Sequence, residues 1–206
     1  MAAQRPAHVA LIVIDMQNDF CPDGALAVAG GDDIVAGINA KMADYGTVVL
    51  TQDWHPQNHS SFATNHADKD PFELIDMPYG PQVLWPDHCV IGSQGAAFHT
   101  DLNTTQPQMI IRKGFRPEID SYSAFFENDK TTPTGLKGYL TERGMTEVHL
   151  VGLATDFCVQ YSALDAVASG FDTTVDLELC RAIDLEGSLD AALNAMTAAG
   201  VTLEGK

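Results

Sequence analysis

The chain has 206 residues, 45% of them hydrophobic and 19% charged, with a formal net charge of −17 from 28 acidic and 11 basic side chains. That length supports one large hydrophobic core without a disulfide or metal staple, and we read residues 1–206 as a single domain. So acidic a chain lacks the basic face that nucleic acid or an anionic membrane requires, which excludes both as expected partners.

The start, Met1 to Pro6, has neither the basic nor the apolar region of a signal peptide. No apolar run approaches the ~18 residues of a membrane span. Cys21, Cys89, Cys158 and Cys180 form no CxxC pair. The expectation is a cytoplasmic protein with reduced thiols.

In chain order, short apolar runs fall at Val9–Ile14, Thr47–Leu50, Met109–Ile111, Val148–Val151, Thr173–Leu177 and Val201–Leu203. Most are continuous rather than alternating, as in strands covered on both faces. Helical stripes lie between them. Ile34, Ile38, Met42 and Tyr45 follow Asp32 or Asp33 as a cap and stop at Gly46. Leu136 and Leu140 precede Gly144, and Phe157, Tyr161, Leu164 and Ala168 precede Gly170. Leu189, Leu193 and Met196 precede Gly200. Strand–helix alternation of this kind predicts an α/β fold with a parallel sheet. Residues 54–108 break the rhythm; so long an irregular segment is expected to be functional and to cover one end of the sheet.

Open α/β sheets bind ligands beyond the carboxyl ends of their strands. Asp15 closes the first run, Asp53 and His55 follow the second, Lys113 the third, and Ala154 to Cys158 the fourth. In Gly152-Leu-Ala-Thr-Asp-Phe-Cys158, Thr155 or Asp156 reads as a helix cap, which puts Cys158 in the first turn. There the macrodipole and free amides favour a thiolate. The amide of Cys158, with Ala154 as a second candidate, suits an oxyanion. Lys113 would lower the thiol pKa, and Asp15 could take and return its proton. The bland alternatives, a small buried cysteine and a structural Asp–Lys pair, stay open at this point.

Asp53 and His55, two apart on an extended segment, point the same way. Trp85-Pro-Asp-His88 offers the third member of a carboxylate–imidazole metal set that suits zinc, iron or manganese. His59, His66 and His99 are not singled out by spacing, and His8 and His149 read as packed strand residues.

Five segments then carry a resemblance: Ile14-Asp-Met-Gln-Asn-Asp-Phe-Cys21, Thr51-Gln-Asp-Trp-His-Pro56, Trp85-Pro-Asp-His-Cys89, Arg112-Lys-Gly114 and Gly152-Leu-Ala-Thr-Asp-Phe-Cys-Val159. In this order the chain resembles the nicotinamidases of the isochorismatase-like cysteine hydrolase superfamily. The resemblance implies a three-layer αβα, Rossmann-like fold with a six-stranded, mainly parallel sheet. It implies hydrolysis of nicotinamide to nicotinate and ammonia in NAD salvage, and acceptance of pyrazinamide.

By the same resemblance, Asp15 is base and acid, Lys113 the electrostatic partner and Cys158 the nucleophile. Ala154 and Cys158 form the oxyanion hole, with a cis peptide between Ala154 and Thr155. Phe20, Trp85, Tyr122, Ala154 and Thr155 meet the substrate, and Asp53, His55 and His88 hold one divalent ion, zinc first. Leu179 departs from the small residue expected before Cys180 and is expected to alter packing near the fifth strand. A carbamoyl amidase would not need the metal set, a vinyl-ether hydrolase would not need Cys158, and a non-catalytic metal- or thiol-binding relative would not need the intact reactive group. No stretch reads plainly as an interface, so the oligomeric state is left open.

Overall fold

The computed structural model describes residues 4–205; residues 1–3 of the segment read for a leader lie outside them. The six expected runs form one sheet from β1 (Val9–Ile14), β2 (Thr47–Asp53), β5 (Met109–Lys113), β6 (Glu147–Leu153), β7 (Asp172–Arg181) and β8 (Thr202–Glu204). Its order is β5-β2-β1-β6-β7-β8, and every pairing is parallel. All residues of β1 and β2 are buried, which is why their sequences are continuous rather than alternating.

Helices α1 (Val35–Met42), α2 (Leu136–Glu142), α3 (Gln160–Ala168) and α4 (Ser188–Ala198) flank the sheet. Helices α1 and α2 bury the stripes read from their sequences, Ile38 and Met42 in the first and Leu136 and Leu140 in the second, and α4 buries Met196. The stripe read for α3 is corrected: Ser162, Ala163, Asp165 and Ala166 are its buried residues, while Tyr161 and Leu164 are only half-buried and Ala168 is exposed. The expected Asp cap of α1 is corrected: Ile34 takes the cap position without a side-chain bond. Asp32 contributes only its carbonyl, to the Val35 N–H. His8 is also corrected, since it lies exposed in the turn before β1. His149, by contrast, is buried between Tyr45 and Glu147.

After β1 the chain fills one side of the sheet, then returns to place β6 on the other side of β1. The crevice at this reversal is where an open sheet binds ligands. Gly152 lets the two central strands approach there: its φ is +116°, and a Cβ would sit 2.2 Å from the Ile14 carbonyl oxygen.

Residues 54–108 are not wholly irregular. They contain an antiparallel hairpin of β3 (Leu74–Met77) and β4 (Gly80–Val83). The rest is tied to itself by isolated bridges that pair His55 with Val90 and Phe62 with Trp85. Gln17 clamps β2 from the loop after β1: its Oε1 accepts the Asp53 N–H and its Nε2 donates to the Asp53 carbonyl, both at 2.8 Å. Leu179 sits where the β6–β7 register slips, and its side chain fills the space that a Cβ on Gly37 of α1 would need. The departure at Leu179 is therefore accommodated by a glycine on the facing helix.

Candidate active site

Strands β2 and β5 run further than their apolar runs, so Asp53 and Lys113 are their last residues and lie side by side in register. Lys113 is wholly buried. Its ammonium contacts Asp15 Oδ2 at 2.7 Å, Asp53 Oδ1 at 2.6 Å, the Ser121 carbonyl at 3.0 Å and Cys158 Sγ at 3.4 Å. Asp15 leaves β1 with φ +46°, and its Oδ1 accepts a hydrogen bond from Thr51 Oγ1 at 2.6 Å. One ammonium thus serves two carboxylates and a thiol.

This arrangement sets the charges. Burial alone would suppress the Lys113 cation, but Asp15 and Asp53 hold its pKa well above the usual lysine value. Burial also works against the Asp53 carboxylate, yet the Lys113 ammonium holds it well below the ordinary range. Asp15 goes the other way: burial outweighs Lys113 and raises it, with the Asp53 charge adding to the rise. Cys158 corrects the expectation of a thiolate. Lys113 pulls the thiol downward as anticipated, but burial is larger, Asp15 and Asp53 oppose ionisation, and the net direction is well upward. A carboxyl with raised affinity for protons therefore stands beside a protonated thiol.

Cys158 lies in a wide π-type turn, Thr155–Val159, that runs into α3. Such turns widen a helix locally and recur at functional sites. Neither Thr155 nor Asp156 caps it. Ala154 takes the cap position, and its carbonyl accepts from the Phe157 and Val159 N–H groups. The N–H groups of Ala154 and Cys158 are not used in these two bonds. The Asp156 carboxylate is instead drawn away to the Ile183 and Asp184 N–H groups and the Ser188 hydroxyl. The cis peptide lies one residue earlier than expected, between Leu153 and Ala154, where β6 ends and the extended Ala154 begins the turn.

Cys158 lines a pocket together with Phe20, Trp85, Tyr122, Phe157 and Ala154, and Asp53, His55 and His88 line it too. Trp85 meets Phe157 edge-on at 4.9 Å between centroids. Leu26, Ile183 and Asp120 complete the lining. Thr155 is corrected: it is buried but lies outside this pocket, beside Leu177 and Leu193. The turn of the chain after the cis bond carries Ala154 into the pocket wall and Thr155 behind it.

The donor chemistry of Asp53, His55 and His88 fits a divalent ion. His55 Nδ1 faces the Gly114 carbonyl and His88 Nδ1 faces the Pro86 carbonyl, both at 2.8 Å. Those bonds place the ring protons on Nδ1 and leave each Nε2 lone pair turned inward, 3.5 and 3.8 Å from Asp53 Oδ2. Gly114, at φ +69°, leaves room for the His55 ring, whose Cε1 would be 2.3 Å from a Cβ there. His59 and Asp120 also approach His55. Both His59 nitrogens are engaged, by Ser61 and by the Ile119 carbonyl, and burial pushes its pKa down to about 4.

The sequence did not single out Asp120, Leu26 or Ile183, which sit on loops without periodic or strand-end signals. Phe157, read from the sequence only as part of a helical stripe, lines the pocket one residue before Cys158.

The chain matches the isochorismatase domain over residues 9–205. It is 56% identical over 194 residues to a nicotinamidase of Acinetobacter baylyi, covering 94% of this chain and 91% of that one. A solved nicotinamidase/pyrazinamidase of Acinetobacter baumanii superposes with a TM-score of 0.97 at 55% identity, over 98% of this chain and 97% of the other. A zinc-bound pyrazinamidase of Pyrococcus horikoshii superposes with a TM-score of 0.77 at 34% identity, over 97% and 99%.

Proposed function

The chain belongs to the isochorismatase domain family, and from that premise we propose that it hydrolyses nicotinamide to nicotinate and ammonia through a thioester on Cys158. The observation that carries the mechanism is the contact chain of Asp15, Lys113 and Cys158, whose cysteine lines an aromatic pocket. The nicotinamide ring lies between Phe20, Trp85, Tyr122 and Phe157, which brings its carboxamide carbon to Sγ.

As Sγ attacks, the thiol proton passes to Asp15, whose raised proton affinity suits it to receive and return a proton. The backbone N–H groups of Ala154 and Cys158 take the oxyanion. Asp15 then protonates the amide nitrogen, which departs as ammonia. In the second half it accepts a proton from the water that opens the thioester, and returns that proton to the thiolate. Lys113 lies against both the carboxylate and the sulfur, so negative charge is compensated on whichever atom carries it.

Asp53, His55 and His88 would hold one divalent ion, zinc first with iron and manganese suiting the same donors, and when bound it would take the ring nitrogen and orient the substrate. The zinc-bound pyrazinamidase relative supports this set. Pyrazinamide, with a ring of the same size, is the expected second substrate. A carbamoyl amidase, a vinyl-ether hydrolase and a non-catalytic relative are not favoured. We take the whole chain as one hydrolase domain acting on small molecules in NAD salvage, in the cytoplasm, without nucleic acid or membrane as partner. No helix among the described residues is long and apolar enough to cross a membrane.

Acid-quenching the enzyme during turnover and weighing the peptide that contains Cys158 tests the covalent step. A nicotinoyl adduct on that peptide is expected. A kinetically competent enzyme that never carries one would remove Cys158 as the nucleophile.

A further inference from the structure

The β3–β4 hairpin buries little of itself. Leu74, Asp76 and Pro81 are exposed, and its one fully buried side chain is the amide of Gln82. A hairpin that turns an uncharged polar group inward, with apolar residues available on either side, has a use for that group's hydrogen bonds.

Those bonds converge on the pocket. Gln82 Nε2 lies 2.8 Å from the Tyr122 hydroxyl oxygen, 2.9 Å from Asp120 Oδ2 and 2.8 Å from the Val83 carbonyl. Its Oε1 accepts from Asn128 Nδ2 at 3.1 Å and from the Tyr79 hydroxyl at 3.2 Å. A carboxylate and a carbonyl on one side admit only donors, so the amide's orientation is fixed by its partners. Trp85 Nε1 donates to the same Tyr122 oxygen at 3.0 Å. Two pocket walls, Trp85 just after the hairpin and Tyr122 on the loop after β5, are thereby joined at one atom, and Gln82 holds that atom from behind.

We propose that Gln82 is a positioning residue for the ring pocket: by holding the Tyr122 hydroxyl it fixes the Trp85–Tyr122 wall that receives the substrate ring. Gln82 touches neither the substrate nor the reacting atoms. Its effect belongs in ground-state binding of the ring, and so in KM rather than in kcat. The inference rests on the proposed hydrolysis of nicotinamide.

The test is a double-mutant cycle on the metal-loaded enzyme with Gln82→Met, Tyr122→Phe and the pair, reading KM, kcat and the thermal midpoint. Gln82→Met is expected to raise KM for nicotinamide about tenfold with kcat within about twofold, because uniform binding is lost without loss at the transition state. In the Tyr122→Phe background the same change should add almost nothing, since the hydroxyl through which Gln82 acts is gone. Additive effects, an unchanged KM, or an equal fall in kcat and kcat/KM would overturn the proposal. Should Gln82→Met not accumulate as folded protein, Gln82→Glu removes the same donor at nearly unchanged size and enters the same cycle. Wild-type protein that releases no ammonia from nicotinamide would count against the substrate reading instead, so the two failures are distinguishable.

Discussion

Cys158 and Lys113 illustrate how a buried ion cluster decides reactivity. A lysine beside a thiol favours the thiolate, but here two carboxylates share that lysine and burial penalises every uncompensated charge. The thiol keeps its proton until attack, and Asp15 is the group placed to take it. Cys158→Ala is therefore expected to cut ammonia release by more than about a thousandfold while metal content and thermal midpoint stay near the wild type, as for loss of an enzyme's nucleophile. Retained activity would end the assignment. Gly114 tests the imidazole set without touching a ligand. A Cβ there collides with the His55 ring, so Gly114→Ala is expected to lower bound metal and raise KM, measured by metal analysis alongside kinetics. Normal metal content in that variant would show that the His55 orientation is not what holds the ion. Asp15, Lys113, Cys158, Asp53 and His55 were legible in the sequence because polar residues at the ends of buried apolar runs have few bland uses. Asp120 and Ile183 were not, because their loops enter the pocket through tertiary contacts that leave no local pattern.

At the level of elements, the sheet was readable because parallel strands buried on both faces leave continuous apolar runs. The β3–β4 hairpin was missed: its strands are four residues each, one contains Pro81, and only Gln82 turns fully inward. The role of Asp156 was also misread. An Asp before a helix usually caps it, but this one reaches across to the segment after β7 and holds Ile183 against the pocket. Asp156→Ala is expected to cost about 1–3 kcal/mol, the usual penalty for unpairing buried polar groups. Hydrogen exchange at the Ile183 and Asp184 amides should quicken more than exchange in β1. Equal acceleration in both would mean a global loss of stability rather than release of a strap.

For the molecule as a whole, strand order explains why distant segments meet. Asp15, Asp53, Lys113 and Cys158 come from four parts of the chain, yet β5, β2, β1 and β6 are consecutive in the sheet and end at the same edge. The segment between β2 and β5 then supplies His88, Trp85 and Gln82 from above. The net charge of −17 says nothing about this chemistry. Function is written in the strand ends and their covering loops. The most direct test is ammonia release from nicotinamide by metal-replete protein, by protein stripped with a chelator, and by stripped protein resupplied with zinc. Release is expected to fall with the metal and to return with it. No ammonia from the metal-replete protein would contradict the proposed hydrolysis.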